Sequence, residues 1–200
     1  MQKLQAHPWH GITVGSKAPQ TVNAYIEVVP GDSVKFEIDK ESGHLVVDRP
    51  QKYSNHCPAL YGFIPQTYCG SQVSLRANRE GIKGDGDPLD ILVLTENGIS
   101  HGAILVRAKP VGGIRMIDRD EVDDKIIAVL ESDTLYGAFQ NIDQIPAKVI
   151  DRLRHYFLTY KDMPGSGEKQ KVEIAETYSV DEAYQVINAS MHDYTDKFRT

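Results

Sequence analysis

Along the first half of the chain, apolar and polar residues trade places one by one. From Asn23 onward Ala24, Ile26 and Val28 alternate with Tyr25, Glu27 and Val29; beyond Pro30-Gly31-Asp32, Val34, Phe36 and Ile38 alternate with Lys35, Glu37 and Asp39. A period of two is that of a half-buried strand, so the pattern predicts two strands joined by a turn. A second turn at Ser42-Gly43 leads into Leu45-Val46-Val47-Asp48-Arg49 and extends the pair to a meander, with Glu27, Lys35, Glu37 and Arg49 pointing outward. Lys35 and Glu37, two positions apart, share a face. Residues 50–84, with Pro58, Pro65 and a basic stretch at Arg76, Arg79 and Lys83, read as a long loop. Strands resume over Leu89 to Leu94, Ala103 to Ala108, Ile114 to Ile117 after a break at Gly112-Gly113, and Ile126 to Leu130.

The period then changes. After Pro146 the apolar residues Val149, Ile150, Leu153, Tyr156, Phe157 and Tyr160 recur at spacings of three and four, which predicts a helix stopped by Pro164-Gly165. A last helix begins at Ser179, where Glu182 three positions on suggests a capping box, and turns Ala183, Val186, Ile187, Met191 and Tyr194 inward. Short strands followed by two helices imply an α+β domain in which a small antiparallel barrel or curled sheet is covered by helices. The first stretch, residues 1–22, holds His7, Pro8, Trp9, His10 and Pro19 without a sustained period and reads as an irregular N-terminal arm.

Composition narrows the class. Two hundred residues, 40% of them hydrophobic and 25% charged, suit one domain spanning 1–200. The formal charge of -6 argues against a general nucleic-acid or anionic-membrane binder. No stretch reaches the roughly 18 apolar residues of a membrane span, and the start lacks the apolar core of a signal peptide. The expected location is the cytoplasm, with Cys57 and Cys69 as free thiols.

Chemistry concentrates at Asp85-Gly86-Asp87-Pro88-Leu89-Asp90, where three carboxylates crowd into one turn. Two like charges about 4 Å apart repel by about 4 kcal/mol at an effective dielectric of roughly 20, so converging anions need protons or cations. Gly86 and Pro88 shape the turn, and the apolar run behind it anchors it on a buried strand. A second acidic run, Asp118, Asp120, Glu121, Asp123 and Asp124, also lies between strands and is closed by Lys125. An EF-hand is excluded, because its loop needs a ligand and a glycine where Leu89 and Asp90 stand. Oxygen donors on rigid strand ends suit Mg²⁺. A metal cluster alone is compatible with a storage or structural site; the basic residues at strand ends and the hydroxyls of Tyr61 and Tyr160 point instead to an anionic, phosphate-like ligand.

These segments, with Tyr25-Ile26-Glu27, the run from Val34 to Lys40, Val47-Asp48-Arg49, Tyr61-Gly62, the Asp118, Asp123, Lys125 spacing and Tyr160-Lys161, follow one another in a fixed order from about Tyr25 to about Lys171. In that order the chain resembles the family I soluble inorganic pyrophosphatases. The resemblance implies a five-stranded OB-like antiparallel barrel with flanking strands and two main helices. It implies Asp85, Asp90, Asp118 and Asp123 as metal ligands, with Glu27 and Glu37 as further acidic members and several Mg²⁺ ions, or Mn²⁺ or other divalent ions, per site. Lys35, Arg49, Lys125, Tyr61, Tyr160 and Lys161 would bind pyrophosphate, and Asp87 would be the general base acting on a metal-activated water in line with phosphorus. A homo-oligomer is implied, with no nucleic-acid or membrane partner. Residues 66–84 form a longer connection than compact bacterial members have, and His56-Cys57 stands where the family usually has an aromatic residue. The competing expectations are a phosphohydrolase of short polyphosphates or nucleotides, and an OB-type nucleic-acid module, which would need stacking aromatics on a basic groove.

Overall fold

A computed structural model describes residues 5–161 and 172–199 of the chain. In chain order the first strands are β1 (Val22–Val28), β2 (Val34–Ile38), β3 (Leu45–Pro50) and β4 (Leu60–Phe63). Helix α1 (Ser71–Arg76) precedes β5 (Lys83–Gly84), β6 (Asp90–Leu94), β7 (Ile104–Asp118), β8 (Glu121–Val122) and β9 (Lys125–Leu130). Helix α2 (Ala147–Thr159), strand β10 (Val172–Ser179) and helix α3 (Val180–Phe198) follow. Pro164-Gly165, expected to stop α2, and Lys171 lie outside the described residues.

The strands pair in the order β1-β4-β6-β9-β7-β8-β5, and β7 also pairs with β1 and with β10. The expected antiparallel arrangement is corrected to a mixed one: β6 and β9 run parallel, as do β5 and β8. The expected meander is corrected too. β1 pairs with β4 and β7, whereas β2 and β3 form a two-stranded sheet of their own. Six of the seven β1 residues are buried, so this strand takes central partners; Gly31, at φ +101°, and Asp32, whose Oδ2 accepts from Val29 N at 2.8 Å, turn the chain out of the sheet beyond it.

Alternation along the central strands sorts the core onto two faces. Leu92, Leu94, Ile114, Met116, Ile127 and Val129 pack with Ile150, Leu153 and Phe157 of α2. Their neighbours Ile91, Val93, Ile117, Ile126 and Ala128 pack with Ala183, Val186 and Ile187 of α3. Strands buried on both faces read as continuous apolar runs, which is how β6 and β9 appear in the sequence.

Gly112-Gly113 does not break the chain: β7 runs through it for 15 residues. A Cβ on Gly113 would stand 2.3 Å from the Tyr178 ring, and one on Gly112 would stand 2.5 Å from the Tyr178 carbonyl oxygen, so the pair admits β10 rather than ending a strand. Residues 50–84 hold β4, α1 and β5 instead of one long loop. The capping box at Ser179 is absent, since Ser179 makes no side-chain cap and Glu182 binds Arg76 and Arg115. The arm is packed down: Trp9 is 3% exposed, and its Nε1 donates to Thr67 O at 2.8 Å. Cys57 and Cys69 are free and buried.

Candidate active site

Period-two geometry brings the acidic motifs to one place. Asp90 opens β6, Lys125 opens β9 and Asp118 closes β7; Asp90 lies beside Lys125 in register and beside Phe63 of β4. Asp118 shares parity with Ile114 and Met116, Asp123 and Lys125 with Ile127, and Asp90 with Leu92, so all four side chains belong to the face covered by α2. The turn ahead of Asp90 is held by long-range bonds. Gly86 takes φ +77°, Gly86 N donates to Cys69 O at 3.0 Å, Cys69 N to Asp87 O at 2.8 Å, and Leu89 N to Thr67 Oγ1 at 2.9 Å. Leu89, fully buried, plugs the turn into the core.

The β2–β3 hairpin forms the opposite wall. Lys35 and Arg49 are cross-strand partners, and Glu37 follows Lys35 on the same face. Glu27 of β1 ties the hairpin to the sheet, its Oε1 accepting from Ile38 N at 2.6 Å. Tyr160 and Lys161, at the end of α2, and Tyr61 of β4 close the sides. All thirteen side chains singled out from the sequence line this one cavity of about 230 Å³, room for hydrated ions and a small polyanion together.

Among the described lining residues there are eight carboxylates and five cationic side chains. Lys35 Nζ reaches Glu37 Oε2 at 2.8 Å and Asp48 Oδ2 at 2.9 Å, and Lys161 Nζ reaches Asp118 Oδ2 at 3.1 Å. Lys40 pairs with Asp87, and the buried Lys125 bridges Asp90 and Asp123 while lying 5.6 Å from the Phe157 ring centre. Tyr61 OH donates to Asp90 Oδ2 at 2.6 Å; burial, then the Asp90 charge, push its pKa well up, so it stays a donor.

Among the described residues three lining carboxyls, Glu27, Asp85 and Glu121, are in no ion pair, and the first two show what the site lacks. Burial first, then the Asp90 charge, raise Glu27 to about 8. Asp85, whose Oδ1 accepts from Asp87 N at 2.9 Å, is raised by burial and then by Asp123. Asp90 is raised by burial against the pull of Lys125, while Lys125, which burial would lower, is driven up by Asp123 and Asp90. Carboxyls crowded this way bind cations other than protons readily.

The donor set is all carboxylate oxygen, with no cysteine or histidine among the described lining residues, which fits Mg²⁺ or Mn²⁺ rather than zinc. Among the described residues no three such donors form a finished cage. The carboxylates are engaged in ion pairs instead: Lys125 stands between Asp90 and Asp123, and Lys161 and Lys40 cover Asp118 and Asp87.

Sequence reasoning left out Lys40, Asp48, Glu121, Phe63, Tyr156 and Phe157. Glu121 lay inside the second acidic run, and Tyr156 and Phe157 were on the apolar face of α2, where the same spacing serves core and cavity. Asp48 alternates away from Val47 and meets Lys35 across the hairpin. Lys40 follows the end of β2, and no periodic signal marks it. Cys57 belongs to the α2-side core and does not line the cavity.

Comparison with known proteins agrees with this geometry. A family model described as inorganic pyrophosphatase matches residues 24–195. The chain is 52% identical over 200 residues to an inorganic pyrophosphatase of Chlamydia trachomatis, covering 96% of each, and 38% identical over 191 residues to a soluble inorganic pyrophosphatase of Oryza sativa, covering 96% of this chain and 80% of the relative. Its structure resembles the crystal structure of inorganic pyrophosphatase from Thermus thermophilus with a TM-score of 0.80 at 29% identity, over 96% of this chain and 99% of the other.

Proposed function

Because the chain belongs to the family I soluble inorganic pyrophosphatases, we propose that the acidic cavity is where it hydrolyses inorganic pyrophosphate to two orthophosphates. One observation carries the assignment of the reaction to this cavity. Both acidic motifs and the basic hairpin converge there, in a lining whose carboxylates outnumber its cations.

Asp85, Asp90, Asp118 and Asp123, with Glu27 and Glu37, are the residues that would hold several Mg²⁺ ions, and Mn²⁺ suits the same oxygen donors. Such ions supply positive charge against the phosphoryl oxygens and acidify the attacking water. Lys35, Arg49 and Lys161 neutralise the outer phosphate, which carries the leaving charge, and Lys125, Tyr61 and Tyr160 orient the anion from the floor and sides. Phosphoryl transfer depends on such positioning and electrostatics, because little covalent chemistry falls to the protein. Asp87 is the base. Its side chain is 49% exposed and, among the described residues, pairs with Lys40 alone, so it stands apart from the crowded carboxylates and can take the proton of the in-line water once that lysine moves off. Asp87→Asn is expected to keep the fold and Mg²⁺ binding while losing most turnover, measured as phosphate release beside a calorimetric Mg²⁺ titration. Turnover like that of the wild type removes Asp87 from the mechanism.

The finer architecture belongs to the same reading. The pairings β1–β4, β4–β6, β6–β9, β9–β7 and β7–β1 support a five-stranded OB-like barrel. We read residues 1–200 as one domain with 1–22 as its arm, working in the cytoplasm as a homo-oligomer; no described helix is long and apolar enough to cross a membrane. An acidic cavity argues against the nucleic-acid module, and rates on pyrophosphate against tripolyphosphate and ATP separate the remaining phosphohydrolase alternative.

A further inference from the structure

Behind the cavity, on the α3 face of the same strands, lies a second cluster of charge. Arg115 of β7 is 5% exposed and Asp124, in the connection from β8 to β9, is 1% exposed. Arg115 Nη2 donates to Asp124 Oδ2 at 3.3 Å and to Glu182 Oε1 at 2.8 Å, and Nη1 donates to Glu176. Tyr178 OH donates to the same Asp124 Oδ2 at 3.2 Å, and its ring lies 5.1 Å from the Arg115 guanidinium carbon. Gly113 leaves room for that ring.

The cluster is a poor device for stability alone. Arg115 Nε and Asp124 Oδ1 have no partner among the described residues, and buried ion pairs of imperfect geometry are commonly matched or bettered by apolar replacements. What such a pair does supply is direction. Asp123, Asp124 and Lys125 are consecutive, and alternation sends Asp124 to the α3 face when Asp123 and Lys125 face the cavity. A slip or twist of the strand that turned Asp123 away would bring Asp124 out of Arg115's reach. Asp123 N donates to Met116 O at 2.9 Å, so the segment is fixed at its backbone on the strand that carries Arg115.

We propose that Arg115 and Asp124 are positioning residues that hold Asp123 and Lys125 toward the cavity and thereby set its affinity for divalent cations. The proposal rests on the reading of the cavity as the metal-dependent hydrolytic site. Neither residue lines the cavity; both act through the segment they clamp. Tyr178, donating to Asp124 from β10, steadies the same carboxylate.

The test titrates Mg²⁺ calorimetrically into the full-length metal-free wild type and the variants Asp124→Asn, Arg115→Met, Arg115→Lys and Tyr178→Phe, beside thermal melts and phosphate-release kinetics. Loss of a partner that orients a metal ligand weakens metal affinity about tenfold or more, and that is the shift expected for Asp124→Asn and Arg115→Met. Turnover at saturating Mg²⁺ is expected to stay within about threefold of wild type, since the reacting groups are unchanged. Arg115→Lys should fall between, and Tyr178→Phe, which removes one hydroxyl without emptying the site, should shift Mg²⁺ affinity in the same direction by less. Should Asp124→Asn not fold, the Tyr178 and Arg115→Lys variants still decide. Lower melting temperatures with wild-type Mg²⁺ affinity would make the cluster merely structural and overturn the proposal. Undiminished Mg²⁺ binding and hydrolysis in Asp123→Asn would instead overturn the reading of the cavity, a result separate from any outcome at the cluster.

Discussion

The two faces of the central strands carry charge in opposite styles. In the cavity on the α2 side four of the five described cations are lysines, and Glu27 and Asp85 are in no ion pair among the described residues. On the α3 face the described cations that grip Glu182 are both arginines, Arg115 and Arg76. Glu27 and Asp85 are pushed up, Glu27 to about 8, whereas Glu182, despite the upward pull of burial, is held low by Arg76 and Arg115. Asp124 sits between these cases: burial outweighs Arg115 and raises it to about 6.

The difference is one of exchangeability. A lysine is a compact, hydrated charge on a flexible stem and can leave a carboxylate when a metal or phosphate arrives; an arginine fork is planar, permanently charged and bidentate, and makes a fixed partner. Lys125, Lys161 and Lys40 therefore cover carboxylates proposed as metal ligands and base, while Arg115 holds Asp124 on the opposite face. Neighbouring residues in one acidic run, Asp123 and Asp124, thus fall to opposite faces.

The widest separation between the faces is expected for Asp123→Asn. It should lower kcat/KM for pyrophosphate by about 10² to 10³, the scale of losing one preorganised charge contact at a phosphoryl centre. Its melting temperature should hold or rise, because a crowded carboxylate is gone. Near-normal kcat/KM would erase the distinction between the faces. At the other end of the scale, Glu182→Gln should leave turnover unchanged and cost about 1 kcal/mol of stability near neutral pH, after allowance for its partial solvent contact. The sign follows from its lowered pKa. The contribution of Glu182 is complete above its ordinary value of 4.5 and fades as pH falls through the lower folded value, so wild type and variant should converge in acid. Denaturant melts from pH 7 downward read this directly, and a gap that widens in acid contradicts it.

Much of this was legible in the sequence where neighbours along the chain decide the outcome. The period of two found β1, β2 and β3, continuous apolar runs found β6 and β9, and the spacing of three and four found α2 and α3. Every site residue that the family resemblance implied lines the cavity, and alternation accounts for Asp90, Asp118 and Lys125 at strand ends facing it. What stayed hidden depends on distant partners. Helix α1 begins without a local cap; Asp193 of α3 accepts from Gly70, Gln72 and Val73 N, each at 3.0 Å, from 120 or more residues away. Gly112-Gly113 reads as a break until Tyr178 is seen against it, and Glu182 reads as a cap until the arginines claim it. The basic stretch is likewise anchored, Arg76 on Glu182 and Arg79 on Glu173.

The central claim is that the cavity's excess of carboxylate is completed by divalent cations and, so completed, hydrolyses pyrophosphate. Phosphate release from pyrophosphate by the wild-type protein, measured in a chelator and then on addition of Mg²⁺, tests it most directly. Release should be near background in the chelator and rise steeply and saturably with Mg²⁺. Equal release in the two conditions would contradict the account.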